Sequence, residues 1–172
     1  MSKETIIKLG FFRTENSVEI PKFSTNGAAC FDISFSPYGK TTYDGYTPNN
    51  GMFNRQYGKS GVIRIMPGER VMVPTGLLFE IPAGYSLRIH PRSSVAYKKG
   101  LVLVNGEAII DSDYFNETFL LILNTSATGI DINPGERLVQ AELVKIPEYS
   151  IQEISKPPKQ TTDRTGGIGS TG

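Results

Sequence analysis

Val62-Ile63-Arg64-Ile65-Met66-Pro67-Gly68-Glu69-Arg70-Val71-Met72-Val73-Pro74-Thr75-Gly76-Leu77-Leu78-Phe79-Glu80-Ile81-Pro82-Ala83-Gly84-Tyr85-Ser86-Leu87-Arg88-Ile89 is the run on which the fold class turns. It divides into short apolar segments, Val62 to Met66, Arg70 to Val73, Leu77 to Ile81 and Tyr85 to Ile89. Each is rich in Val, Ile, Leu or aromatics and bounded by turn residues. Pro67-Gly68, and further on Pro134-Gly135, set proline and glycine where a type II turn wants them, at i+1 and i+2. Pro82-Ala83-Gly84 fits a type I turn with glycine at i+3 equally well. Leu101 to Val104, Thr118 to Leu123 and Arg137 to Ile146 continue the pattern. No window sustains a helical period, and the best helix candidate is a turn or two from Ser93 to Lys99. Short strands with frequent turns predict an all-β protein, a distorted jelly-roll β-barrel.

The whole chain fits that frame. Its 172 residues suffice for one domain with one core, and 38% hydrophobic with 20% charged residues reads as a globular chain. A net charge of +1 argues against broad nucleic-acid binding, yet leaves room for a small anion held by a few arginines. The single cysteine, Cys30, excludes an internal disulfide, and with one histidine, His90, a structural zinc site within one chain is excluded too. No signal-peptide core and no apolar run of membrane-spanning length is present, so a cytoplasmic protein is expected.

Two stretches depart from the strand pattern. Pro37 to Gly61 is polar and holds Tyr38, Tyr43, Tyr46 and Tyr57 with little periodicity. A connection this long is either functional or folded on its own, and the favoured reading is a surface excursion with an extra hairpin. The tail after Pro157-Pro158 is polar and ends in Gly166-Gly167-Ile168-Gly169-Ser170-Thr171-Gly172. Gly167, Gly169 and Gly172 match G-x-G-x-x-G, but the dinucleotide fingerprint needs a strand before it and a helix after it. What survives is a run of backbone N–H groups able to wrap phosphate, with Arg164, Ser170 and Thr171 as added donors.

Arg92-Ser93-Ser94 offers a planar guanidinium fork and two hydroxyls suited to phosphate, although the serines could equally cap the helix that follows. Asp111 follows the apolar Ala108-Ile109-Ile110, which puts a carboxylate at a strand end or hairpin edge, where it could take a proton from water. Singly, each of these is better explained as a cap or a solvated turn. Their order carries more. Ala29-Cys30-Phe31-Asp32-Ile33, Pro91-Arg92-Ser93-Ser94, Asn105 through Tyr114, Gly135-Glu136-Arg137-Leu138-Val139-Gln140 and Arg164 through Gly172 together resemble the five ordered motifs of the trimeric dUTPase family.

The resemblance spans about residue 6 to the last, interrupted by the insertion at about 37–61. It implies a dUTP diphosphatase that yields dUMP and pyrophosphate by water attack on the α-phosphorus. Asp111 would be the general base. Arg92, Ser93 and Ser94 would hold triphosphate oxygens, and Gln140 would bond in the phosphate and water region. Asp32 would face Mg²⁺ through its water shell. Tyr114 would lie beneath the deoxyribose. Asn105, with the backbone of Ile109, Ile110 and Asp111, would read the uracil edge. Arg164, Gly167, Ile168, Gly169, Ser170 and Thr171 belong to an arm, residues 157–172, that would close over a site on the 1–156 barrel. A homotrimer with shared sites follows from the same resemblance.

There are departures. Ile168 replaces the usual aromatic residue over uracil. Cys30, Ser94, Ala108 and Asn116 stand where glycines are usual, and Ala108 would be strained if a positive-φ glycine belonged there. Two rivals follow. One is a dCTP deaminase of the same fold, with Glu117 as its acid. The other is a nucleotide-responsive binding protein that grips a partner through the tyrosines of the insertion.

Overall fold

A computed structural model describes residues 6–163 and residue 166. Its strands, in chain order, are β1 (Gly10–Arg13), β2 (Lys22–Phe23), β3 (Phe31–Ser34), β4 (Thr42–Tyr46), β5 (Met52–Gln56), β6 (Ile63–Ile65), β7 (Arg70–Pro74), β8 (Leu77–Glu80), β9 (Tyr85–Pro91), β10 (Leu101–Leu103), β11 (Ala108–Ile110), β12 (Phe119–Asn124), β13 (Ile130–Ile132) and β14 (Arg137–Lys145). Among the described residues one α-helix, α1 (Ser93–Lys99), follows β9, where the sequence places it.

Alternation builds the layers. Along β7, Val71 and Val73 are buried while Met72 is exposed; along β12, Leu120 and Ile122 are buried while Leu121 is exposed. That period of two gives each strand one core face. Two five-stranded antiparallel sheets result, ordered β10-β12-β7-β4-β5 and β11-β9-β14-β3-β2, with the smaller pairs β1-β8 and β13-β6 beside them. Their inner faces supply one core, with Ile33, Leu87, Ile89, Val139 and Ala141 from one sheet and Val71, Val73, Leu101, Leu120 and Ile122 from the other. This is the expected all-β distorted jelly roll.

The turns follow their chemistry, with one register change. Gly68 and Gly135 have φ of 74° and 79°, and Glu69 and Glu136 donate amides to the carbonyls of Met66 and Asn133. At the third turn Tyr85 donates to Pro82, and Gly84 has φ 79°. Glycine there is the left-handed i+2 residue, one place earlier in its turn than the type I reading puts it.

The insertion corrects the sequence reading more deeply. It does hold a hairpin, β4–β5, but β4 also pairs with β7 through Gly45↔Val71 and Tyr46↔Arg70. Tyr43 is buried at 5% exposure, edge-on to Phe53 and tilted against Tyr57. Arg55 donates to the buried Glu69 at 2.6 and 2.8 Å. The segment is therefore part of the sheet and of the core.

Candidate active site

The phosphate-facing candidates gather on the outer face of the β9-β14-β3 region. In β14, Gln140 is opposite His90 of β9 on one side and Asp32 of β3 on the other. The strand has a bulge between Arg137 and Val139: Arg137 is opposite Ser34 and Val139 opposite Ile33, so Leu138 is the extra residue. Strict alternation from the outward Gln140 would turn residue 137 toward the core. Instead Leu138 and Val139 are both buried, and Arg137 emerges on the same face as Gln140 and Asp32.

Asp32 is the hub. Its Oδ1 is 3.0 Å from Nε of Arg92, and its Oδ2 accepts from Arg137 Nη1 at 2.9 Å and from Ser24 Oγ at 3.0 Å. The carboxylate side chain is 10% exposed, against 26% for Arg92 and 50% for Arg137. Arg92 is pinned a second time, its Nη1 donating to the carbonyl of Arg137 at 3.3 Å, and its backbone N–H donates to Leu138. Two guanidiniums against one carboxylate leave net positive charge, increased by Lys98, and suit a polyanion. Lys99 is paired with Glu136.

Arg92 is also the N-cap residue of α1, with no side-chain capping bond. The capping explanation of Ser93 and Ser94 therefore fails. Both serines lie exposed in the first turn, beside Arg92. His90 lies 3.4 Å from Glu142 and 3.7 Å from Glu107, as a paired neighbour. Burial, then Glu142 and Asp32, push the Cys30 thiol up, away from nucleophilic reactivity.

The base-side candidates occupy the edge of the same sheet. β11 pairs with β9 through Ala108↔Ile89, Ile109↔Arg88 and Ile110↔Leu87. Asp111 follows immediately and is exposed, its carbonyl accepting the amide of Tyr114. The Tyr114 hydroxyl donates to Glu117 O at 2.9 Å, leaving the ring partly exposed. Asn105 opens the turn between β10 and β11, where Gly106 takes φ 72° and Ala108 is not among the positive-φ residues. The connection from β10 to β11, strands of different sheets, thus places its left-handed residue two positions before the expected one, and alanine at 108 carries no strain. Glu107 ties the turn to β9 by accepting from Arg88 at 2.6 Å.

The two groups do not meet within one chain. Extending the β11–β9 register puts Asp111 opposite Ser86, six residues along β9 from Arg92, or about 20 Å. Arg164, Gly167, Ile168, Gly169, Ser170 and Thr171 lie outside the described residues. Arg137 and Ser24 received no role from the sequence. Arg137 lies within the fourth motif, but nothing in the spacing reveals the bulge that aims it. Glu117 is already engaged, by Lys40 at 2.7 Å and by the amide of Gly76 at 2.8 Å. Among the described residues, no three His, Cys, Asp or Glu side chains converge to hold a metal directly.

Known proteins place the chain. The dUTPase family model matches residues 60–172. The deoxyuridine 5'-triphosphate nucleotidohydrolase of Brucella melitensis biotype 2 is 32% identical over 166 residues, covering 95% of this chain and 92% of that one. The crystal structure of dUTPase from Streptococcus mutans is 26% identical with a TM-score of 0.63, over 82% of this chain and 98% of that one. The Staphylococcus bacteriophage 80alpha dUTPase with dUPNHPP has a TM-score of 0.73 over 96% and 98% of the two chains, and at 19% identity it speaks for the fold alone. Matched by the family model over most of its length, and similar almost end to end to a nucleotidohydrolase of that name, the chain belongs to the dUTPase family.

Proposed function

We propose that this protein hydrolyses dUTP to dUMP and pyrophosphate, by attack of water on the α-phosphorus. The observation that carries the reading is the cationic pair Arg92 and Arg137 fixed on the largely buried carboxylate of Asp32, with Gln140 in register beside it, in a chain of the dUTPase family. Phosphoryl transfer needs positioning and charge stabilisation more than covalent chemistry, and that is what this face supplies. Arg92, held from two sides, keeps an edge for triphosphate oxygens, with Ser93 and Ser94 adding hydroxyl donors. Gln140 orients water and phosphate. Asp111 takes the proton of the attacking water, Tyr114 supports the sugar, and Asn105 with Ile109 and Ile110 reads the base. Residues 157–172, with Arg164, Gly167, Ile168, Gly169, Ser170 and Thr171, form the arm that closes over the site.

Mg²⁺ suits the donor set in one way. A carboxylate offers about four acceptor positions, and Asp32 spends three on Arg92, Arg137 and Ser24. One remains for a water of a metal that arrives on the triphosphate. Such a metal, when bound, neutralises phosphate charge. Because Asp111 and Arg92 are far apart in one chain, the reading requires sites shared between chains, and the resemblance to the trimeric family makes that assembly a homotrimer. The proposed compartment is the cytoplasm, which suits a lone unpaired cysteine. Among the described residues, no helix is long and apolar enough to cross a membrane. The deaminase alternative is disfavoured, since its candidate Glu117 is engaged by Lys40 and by the Gly76 amide of the β7–β8 turn.

Pyrophosphate release from dUTP, dCTP, dTTP and UTP with Mg²⁺ tests the proposal, comparing wild type with Asp111→Asn. Turnover of dUTP alone, reduced at least about a thousandfold in the variant, is expected for loss of a general base in a site whose phosphate contacts remain. Ammonia release from dCTP, or no turnover at all from folded protein, would overturn it.

A further inference from the structure

We infer that Arg88 and Glu107 are positioning residues for base recognition, an ion pair that holds the turn carrying Asn105 against β9; this rests on the dUTP hydrolase reading above. Little else holds that turn. It leaves β10 in one five-stranded sheet and enters β11 in the other, and after Val104, which bonds to Leu121 of β12, residues 105–107 lie on no ladder. β11 is a three-residue edge strand paired with β9 alone. Gly106 donates to Leu103 at 3.1 Å and Glu107 to Asn105 at 2.8 Å, and both bonds close the turn on itself. Among the described residues, the side-chain hydrogen bond that carries it to another strand is Arg88 Nη1 to Glu107 Oε2, at 2.6 Å.

Arg88 is itself well held. It lies in the middle of the seven-residue β9, in register with Ile109 of β11 on one side and Glu142 of β14 on the other. Its Nε donates at 3.1 Å to Oγ of Ser86, a residue 1% exposed. Glu142 stands directly opposite Arg88, yet its Oε1 lies 3.4 Å from His90 Nε2, and the guanidinium is spent on the turn. Glu107 Oε1 also faces His90, at 3.7 Å. With side chains 30% and 38% exposed, the Arg88–Glu107 pair adds little to global stability, so its consequence is local. Glu107 is two residues from Asn105, whereas Arg88 is four residues along β9 from Arg92, or about 13 Å. The pair therefore acts on the base side and through Asn105. Hydrogen bonds to a base edge weaken steeply with distance and angle, so a loosened turn penalises the one base that fits and spares those that do not.

Steady-state hydrolysis of dUTP by the full chain with Mg²⁺, with dCTP and dTTP as competitors, tests this in Glu107→Ala and Arg88→Met. Each should raise KM for dUTP roughly tenfold, as for a contact made equally in ground and transition state, and leave kcat and Tm near wild type. The inhibition constants of dCTP and dTTP should not move, so the preference for dUTP falls about tenfold. Glu107→Gln, which keeps an acceptor oxygen for Arg88, should recover part of the loss. The double variant should be no worse than the worse single one. Equal weakening of all three nucleotides, or a lower Tm with the preference intact, would mean that the pair only maintains the fold. Unchanged KM and preference would mean that the turn keeps its place alone. Either result overturns the inference and leaves the dUTP reading standing. Wild type that did not hydrolyse dUTP would overturn that reading, and the role of the pair with it.

Discussion

Glu69 shows what one buried charge does for this protein. Its side chain is 5% exposed, and burial alone would push its carboxyl up. Hydrogen bonds from Arg55 and from the Met66 amide, with the Arg55 charge, outweigh burial and hold it below the ordinary glutamate value. The stabilisation is therefore complete above the unfolded value of about 4.3 and is lost as pH falls through it to the folded value, because the unfolded chain takes up the proton first. Arg55 is 38% exposed, so solvent screening keeps the pair to about 1–2 kcal/mol. Glu69→Gln should lower stability by that amount at pH 7, in urea denaturation at fixed protein concentration. At about pH 3, below the unfolded value of about 4.3, the difference from wild type should be smaller than at pH 7. A gap equal at both pH values would instead assign the loss to packing. At this scale the sequence was only partly legible: it named Asp32, Arg92 and Gln140, which the fold brings together, but not Arg137, because a bulge leaves no mark on residue spacing. The positive φ expected at Ala108 falls instead on Gly106, which adopts it without strain, since turn register is set by hydrogen bonds that spacing alone does not determine.

The insertion hairpin, at the scale of the element, reads poorly in the sequence for a physical reason. The inward positions of β4 and β5 are Tyr43, Gly45, Phe53 and Arg55, so glycine and arginine stand where an apolar pattern is sought. β3 hid in a similar way, with Asp32 among four residues, whereas β7 and β12 announced themselves by Val, Leu and Ile at alternate places and β8 by Leu77 and Phe79. Gly45 makes the dependence testable. A Cβ there would fall 2.6 Å from the carbonyl oxygen of Arg70 and against the ring of Phe53. The backbone of β7 cannot yield without breaking the β4–β7 pairing. Gly45→Ala should therefore cost about 1–3 kcal/mol, and Tyr43→Ala, which empties an aromatic site in the core, about 3–5 kcal/mol. Thermal melting measures both. Unchanged melting in both variants would return the insertion to a surface excursion, and would make its deletion harmless to turnover.

Whether one chain can be an enzyme is decided at the scale of the whole molecule. The jelly roll holds Arg92, Asp32, Arg137 and Gln140 on one part of a sheet and Asp111, the residue after β11, about 20 Å away along β9 when the β11–β9 register is extended by one residue. No side-chain rearrangement closes that distance. If the chemistry is the one proposed, the carboxylate of one chain must serve the arginine of its neighbour, and a closed ring of chains satisfies every site at once. Two variants, each inactive alone, then complement one another. Asp111→Asn keeps a working phosphate face and Arg92→Gln keeps a working base. In randomly mixed trimers a site is intact when the first supplies its arginine and the second its aspartate, so roughly a quarter of wild-type turnover per site should return. Denaturing the two proteins together and refolding them provides the mixture, with each refolded alone as control. Recovery well above the controls requires shared sites. A mixture no more active than its parents, from protein that light scattering shows to be trimeric, would place both halves of each site in a single chain and require β11 to pack otherwise than its register with β9 implies.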